Sequence, residues 1–96
     1  MTATESLSLA SRVCANDDIL FQELQDESVL LNLNSGIYFG LDPVGTRIWQ
    51  LLAKHQLLAE LADAITAEYD VGEDRCVADL FALVSELERQ GLVIVT

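Results

Sequence analysis

Few residues of this 96-residue chain have the types and spacing of a reactive site. His55 is the single histidine. It lies beside Lys54 in a connection between two expected helices, and no clustered partner would make it a base or a ligand, so it is read as a solvent-exposed structural residue. Cys14 and Cys76 lie far apart with no Cys-x-x-Cys pair, which argues against a metal site or redox motif and for a reducing compartment. Arg75 would favour a thiolate at Cys76, but one neighbour in sequence is poor support, and Cys76 is read as a small packing residue. No glycine-rich phosphate loop is present, and the carboxylates are scattered over turns and helix surfaces. No catalytic residue, cofactor or metal is expected.

The chemistry that remains belongs to the backbone. Gly36-Ile37-Tyr38-Phe39-Gly40 reads as a short aromatic strand without the lysines, prolines or bulges that usually protect a sheet edge. An unpaired row of N–H and C=O groups there would accept an extended peptide as an added strand, with side-chain pockets supplying selectivity. The competing possibility is that Leu92-Val93-Ile94-Val95, or the first strand, covers the same edge.

The surrounding elements must hold that strand. Ile19 to Leu24 reads as a first strand and Gln25 to Ser28 as a polar turn. In Val29–Leu33 and Ile37–Leu41 the odd positions are apolar, the period of a half-buried strand. A three-residue loop Asn34-Ser35-Gly36, with Gly36 left-handed, sets Leu33 opposite Ile37, Leu31 opposite Phe39 and Val29 opposite Leu41. Tyr38 then points to the other face. Asp42-Pro43 is a helix start, an N-cap followed by a proline whose missing donor has no partner to lose. That helix runs to about Ala53, and Gly45 in its first turn predicts a close approach.

A second helix, about Leu57 to Tyr69, carries Leu58, Leu61, Ile65 and Tyr69 at helical spacing but lacks a good N-cap. After a break at Asp70-Val71-Gly72, a third helix runs from about Glu73 to Gln90 and ends at Gly91. At ~100° per residue its apolar positions Cys76, Val77, Leu80, Phe81, Leu83, Val84 and Leu87 span roughly 160°, where one core contact needs only about 100°. One flank of the stripe is therefore free to face a second layer or a groove. Residues 1–15 are read as a flexible tail and 16–96 as one α+β domain, a three-stranded antiparallel meander followed by three helices.

Composition narrows the partners. The net charge is −11, with only five lysines and arginines, so nucleic-acid backbones and anionic membranes are disfavoured. Basic peptides or basic enzyme surfaces would be attracted, more weakly with added salt. A 51% apolar content is high for so short a chain and leaves apolar surface for a partner. No basic stretch precedes an apolar run and no run reaches the ~18 residues of a membrane span, so a cytoplasmic protein is expected, a monomer or weak dimer.

The stretch Val29-Leu30-Leu31-Asn32-Leu33-Asn34-Ser35-Gly36-Ile37-Tyr38-Phe39-Gly40-Leu41-Asp42-Pro43, continuing to Trp49, resembles PqqD-like proteins. These are peptide-recognition elements of pathways for ribosomally made, post-translationally modified peptides, including the stand-alone recognition proteins of lasso-peptide clusters. Glu68-Tyr69-Asp70-Val71, Asp79-Leu80-Phe81 and Leu87 to Val93 extend the likeness over roughly residues 18 to 95. The chain is closer to the relatives containing Tyr-Phe-Gly-Leu than to PqqD proper. The resemblance implies a winged-helix-like fold in which a precursor's leader peptide adds beside the third strand and lies against the third helix. It points to Ile37, Tyr38, Phe39 and Gly40 on the edge, and to Val77, Leu80, Phe81 and Val84 on the helix. Asp74 and Asp79 are implied as contacts for a basic leader residue. The implied partners are the leader peptide and a modifying enzyme: a leader peptidase, a cyclase or a radical enzyme. Two other readings compete, a winged-helix transcription regulator, which the charge opposes, and a dimerisation module using the same edge.

Overall fold

In this computed structural model, which describes residues 7–69 and 72–96, the expected α+β order is observed. Strands β2 (Ile19–Leu24), β3 (Glu27–Asn32) and β4 (Tyr38–Leu41) form an antiparallel meander in the order β2-β3-β4. Helices α1 (Pro43–Leu52), α2 (Leu58–Glu68) and α3 (Glu73–Arg89) follow. A separate two-stranded sheet pairs β1 (Val13–Ala15) with β5 (Val93–Val95). The terminal segment is thus a strand of its own, and it closes against the beginning of the chain.

The expected tail is correspondingly shorter. From Leu7 onward the chain is packed: Leu7, Ser11 and Val13 are buried, and Val13 belongs to the main core with Leu30, Leu58, Leu61, Leu80, Leu87 and Leu92. Residues 1–6 and the Asp70-Val71 part of the interhelical break lie outside the described residues.

The hairpin register differs from the expected one by a single residue. Leu30 faces Phe39, Leu31 faces Tyr38, Val29 faces Gly40 and Ser28 faces Leu41. Such a slip exchanges the faces of β3, so Ser28, Leu30 and Asn32 turn inward while Val29 and Leu31 turn outward. Two polar side chains tolerate burial because each has partners. The Ser28 and Thr46 hydroxyls meet at 2.8 Å, tying β3 to α1. Asn32 Oδ1 accepts from the Asn34 and Ser35 amides at 2.9 and 3.3 Å, and its Nδ2 donates to the Gly91 carbonyl at 3.2 Å. This Asx-type turn spreads the connection over residues 33–37, longer than the expected three, with Gly36 left-handed at φ 75°. The β2–β3 turn is tighter than expected: Leu24 pairs Glu27, and Gln25 takes a positive φ of 62°.

Helix termini follow the sequence signals. Asp42 Oδ1 accepts from the Gly45 amide at 2.7 Å, capping α1 behind Pro43. A Cβ on Gly45 would stand 3.2 Å from both Asp42 Oδ1 and the Leu41 side chain, the expected close approach. At the end of α3, Gly91 at φ 74° donates to Glu88 and Leu92 donates to Leu87, the paired bonds of a Schellman motif. Because Asn16 and Asn32 both donate to the Gly91 carbonyl, that motif also pins the end of α3 to the sheet.

A polar chain clasps the other side. Gln50 donates to Glu23, Arg47 donates to Gln50, and the Arg47 guanidinium makes two bonds to the Glu68 carboxylate at 2.7 and 2.8 Å. This joins β2, α1 and α2. The hydrogen bond from Arg47 outweighs desolvation and, with a smaller contribution from its charge, holds Glu68 below the ordinary carboxylate value of 4.5. A carboxylate with a lowered folded-state pKa stabilises the fold above its ordinary value, and that contribution disappears as pH falls through the lowered value. Thermal melts are therefore expected to show a smaller loss of midpoint between pH 6 and pH 3 for Glu68→Gln than for the unaltered protein. Both groups are solvent-exposed, so the difference is small.

Candidate functional site

Strand β4 pairs with β3 alone, and β5 is occupied with β1, so the far edge of β4 is unpaired among the described residues. The bond from the Asn32 amide to the Ile37 carbonyl, 3.0 Å, sets the phase of the ladder. Antiparallel pairing alternates bonded and non-bonded residues, so Phe39 and Leu41 bond inward to β3. Tyr38 and Gly40 consequently direct their N–H and C=O groups away from the sheet. Four backbone groups stand along this edge with no strand to receive them.

A groove of about 450 Å³ runs beside them. It is lined by Phe39, Gly40 and Leu41 of β4, by Asp42, Val44, Gly45 and Ile48 at the start of α1, and by Asp79 and Leu83 of α3. The lining is mostly apolar, with the two carboxylates of Asp42 and Asp79. Asp42 is already engaged as the α1 cap. Among the described residues Asp79 has a long 3.8 Å approach from Arg75, both side chains standing largely in water.

On the side of β2, where Phe21 stacks on Trp49, a smaller depression of about 340 Å³ lies among Cys14, Ala15, Trp49 and Leu52. Strand β2 also has an edge without a strand partner among the described residues, and the depression that includes its Glu23 is lined by Gln25, Asp26, Arg47 and Gln50 among others, a polar surface. His55, expected in solvent, is half-buried beside a shallow depression with Glu60 and Asp63. Cys76 is buried, with its sulfur 4.0 Å from the Ala62 carbonyl, as a packing residue should be.

Of the residues singled out from sequence, the structure brings Phe39, Gly40 and Asp79 together on the groove. Tyr38 is on the edge, 71% exposed, and Ile37 is exposed in the approach to the strand. Leu80 and Val84 are both only 1% exposed and belong to the core. Val77 and Phe81 are half-buried against that core, and Asp74 is exposed at the start of α3; none of the three lines the groove. Leu83 is the apolar residue of α3 that does. It is in the over-wide stripe, and its offset from the Leu80–Val84–Leu87 line was the available signal. Val44 and Ile48 follow from the Asp42-Pro43 cap, which starts α1 directly against the end of β4.

The sequence profile for Coenzyme PQQ synthesis protein D (PqqD) matches residues 27–93, which include the whole of β3, β4 and the three helices. The chain belongs to the PqqD family. Two solved structures are similar to this PqqD-family chain. One is TbiB1 in complex with the TbiA(beta) leader peptide, 40% identical, with a TM-score of 0.77 over 82% of this chain and 92% of that one. The other is a lasso peptide synthetase B1 complexed with the leader peptide, 30% identical, with a TM-score of 0.74 over 86% and 98%. No curated protein matches. Among the described residues no helix is long and apolar enough to cross a membrane.

Proposed function

We propose that this PqqD-family protein is a non-catalytic recognition element that captures the leader of a ribosomally made precursor peptide by strand addition to β4 and presents it to a modifying enzyme in the cytoplasm. The single observation that carries this reading is the unpaired β4 edge beside an apolar groove, in a chain similar to two leader-bound B1 proteins. The energetics are those of coupled ordering: a disordered leader loses conformational freedom on binding, so edge hydrogen bonds must be supplemented by apolar anchors. Val44, Ile48 and Leu83 are placed to receive such anchors. With lasso-type relatives, the enzyme is a leader peptidase or its cyclase partner.

Presentation needs a second surface, and the outer face of the meander supports one. Register places Leu20, Leu31 and Tyr38 in one row and Gln22, Val29 and Gly40 in the next, with Leu24 beyond them. Leu20 and Leu24 are 50% and 55% exposed, and Glu27 and Asp26 flank them. An apolar face with an acidic border, continuous with the peptide edge through Tyr38, suits an enzyme surface of apolar centre and basic margin.

The test is an NMR titration of the labelled protein with leader peptides, beginning with the TbiA(beta) leader. Amide shifts concentrated at Tyr38, Gly40, Asp79 and Leu83 are expected. Shifts confined to α2 or to the β1–β5 sheet would refute strand addition. In the same protein, Leu20→Ser with Leu24→Ser is expected to leave those shifts intact and to reduce enzyme-dependent processing of the bound peptide.

A further inference from the structure

We infer that Asn32 is a positioning residue for leader capture: its buried side-chain amide ties the end of α3 to the chain leading into β4, and so sets the groove that the two elements line together. The inference rests on the capture reading. It names a residue of β3, separated from the peptide by β4, on which the affinity of that site depends.

The groove takes part of its lining from β4 and part from α3, so its shape depends on how those two elements are held relative to each other. Direct contact between them does little of this. In backbone proximity α3 lies chiefly against α2 and β5, and neither β3 nor β4 is among its close neighbours. Apolar burial is non-directional. A hydrogen bond, in contrast, fixes a distance and an angle.

Asn32 bonds in both directions. Its Nδ2 donates to the Gly91 carbonyl at 3.2 Å, where the Schellman motif ends α3. Gly91 is left-handed at φ 74°, and a Cβ there would stand 3.5 Å from Asn32 Nδ2, so the helix ends directly against this amide. Towards β4, Asn32 Oδ1 accepts from the Asn34 and Ser35 amides at 2.9 and 3.3 Å. Its carbonyl accepts from the Gly36 amide at 2.8 Å, and its own amide donates to the Ile37 carbonyl at 3.0 Å. These bonds shape the chain that enters the open edge at Tyr38. Asn32 is 6% exposed, so water does not replace a partner that is lost.

Asn16 provides the control. Its Nδ2 donates to the same Gly91 carbonyl at 3.1 Å, but from the β1–β2 connection, which supplies no part of the groove. The variants are Asn32→Asp, which keeps the acceptor oxygen of the turn and loses the donor, Asn32→Ser, which loses the donor without adding charge, and Asn16→Ser. Circular dichroism fixes a temperature at which each is folded. The affinity for labelled TbiA(beta) leader is read there by anisotropy, so lost stability alone does not enter. Both Asn32 variants are expected to bind about three- to tenfold more weakly, as for a residue coupled to a site it does not touch. Asn16→Ser is expected to melt earlier and to bind with unchanged affinity. In the free proteins, the Gly40 and Leu83 amide shifts should move together in the Asn32 variants and stay in place in Asn16→Ser.

Unchanged affinity in a folded Asn32 variant overturns the inference and leaves capture standing. An equal loss in Asn16→Ser does the same, because the effect would then belong to the end of α3 as a whole. Loss of fold in both Asn32 variants also overturns it, by making the residue purely structural; where only Asn32→Ser fails to fold, Asn32→Asp decides. If the unaltered protein does not bind the leader, capture itself fails and the inference falls with it.

Discussion

Leu83→Asp is expected to abolish leader capture while the protein stays folded, whereas Leu80→Asp is expected to unfold it. The two leucines are three residues apart on α3, yet their surroundings differ. Leu80 is 1% exposed and packed in the core, so aspartate there removes a buried aliphatic side chain and leaves a carboxylate without a partner. The first effect alone costs about 2–5 kcal/mol, and an uncompensated buried charge adds several more. Against a total stability of roughly 5–15 kcal/mol, the native state of a small domain does not survive that sum. Leu83 is half-buried and borders the groove, so a carboxylate there retains access to water. It also places a second negative charge one turn from Asp79, where an apolar peptide anchor would sit. Thermal melts followed by circular dichroism, with fluorescence anisotropy of a labelled TbiA(beta) leader, separate the outcomes. A folded Leu83→Asp protein that still binds the leader with unchanged affinity would remove α3 from the site.

The contrast between these leucines also shows how far the sequence could be read. The helical period identified α3 and its over-wide stripe, and the excess width does correspond to a groove-facing flank. The period could not say which flank, because that depends on where β4 crosses the helix. Leu80 and Val84, expected as contacts, belong to the core, and Leu83 of the same stripe lines the groove. Signals that act within a few residues were legible. Asp42-Pro43 caps α1, Gly36 and Gly91 take positive φ, and Gly45 sits under its own cap.

Signals that depend on distant partners were not. The expected register gathers the apolar odd positions of β3 and β4 on one uniformly apolar face. In the fold, Asn32 is buried because Gly91, 59 residues away, accepts its side-chain amide, and Ser28 is buried because Thr46 meets it. The displaced Val29 and Leu31 then turn to the outer face, where a simple apolar-inward pattern leaves no place for them. A sheet with apolar residues on both faces gives an ambiguous alternation, and buried polar partners decide it. Strand β1 lies within the expected tail for a related reason: three residues carry almost no local signal, and Val13 pairs with Val95, far along the chain.

Register matters most for what it predicts at the edge. Tyr38→Pro is expected to weaken leader binding about fivefold to tenfold while the meander remains intact. In the observed phase the Tyr38 N–H points away from β3, so proline there removes a donor that the sheet does not use. It removes one bond to an added strand, worth about 1 kcal/mol, and tolerates an edge position. Phe39→Pro is the opposite case. The Phe39 N–H belongs to the β3–β4 ladder opposite Leu30, so its loss should lower the melting temperature, with binding falling as the fold does. Tyr38→Val controls for the aromatic ring, which lies on the outer face, and should bind the leader nearly as well as the unaltered protein. Had the strands paired as the sequence pattern suggested, Leu31 against Phe39, the same alternation would still expose only one parity of backbone groups. The proline pair therefore asks which parity meets the peptide. Full affinity in a well-folded Tyr38→Pro protein would mean that the leader lies in the groove without joining the sheet.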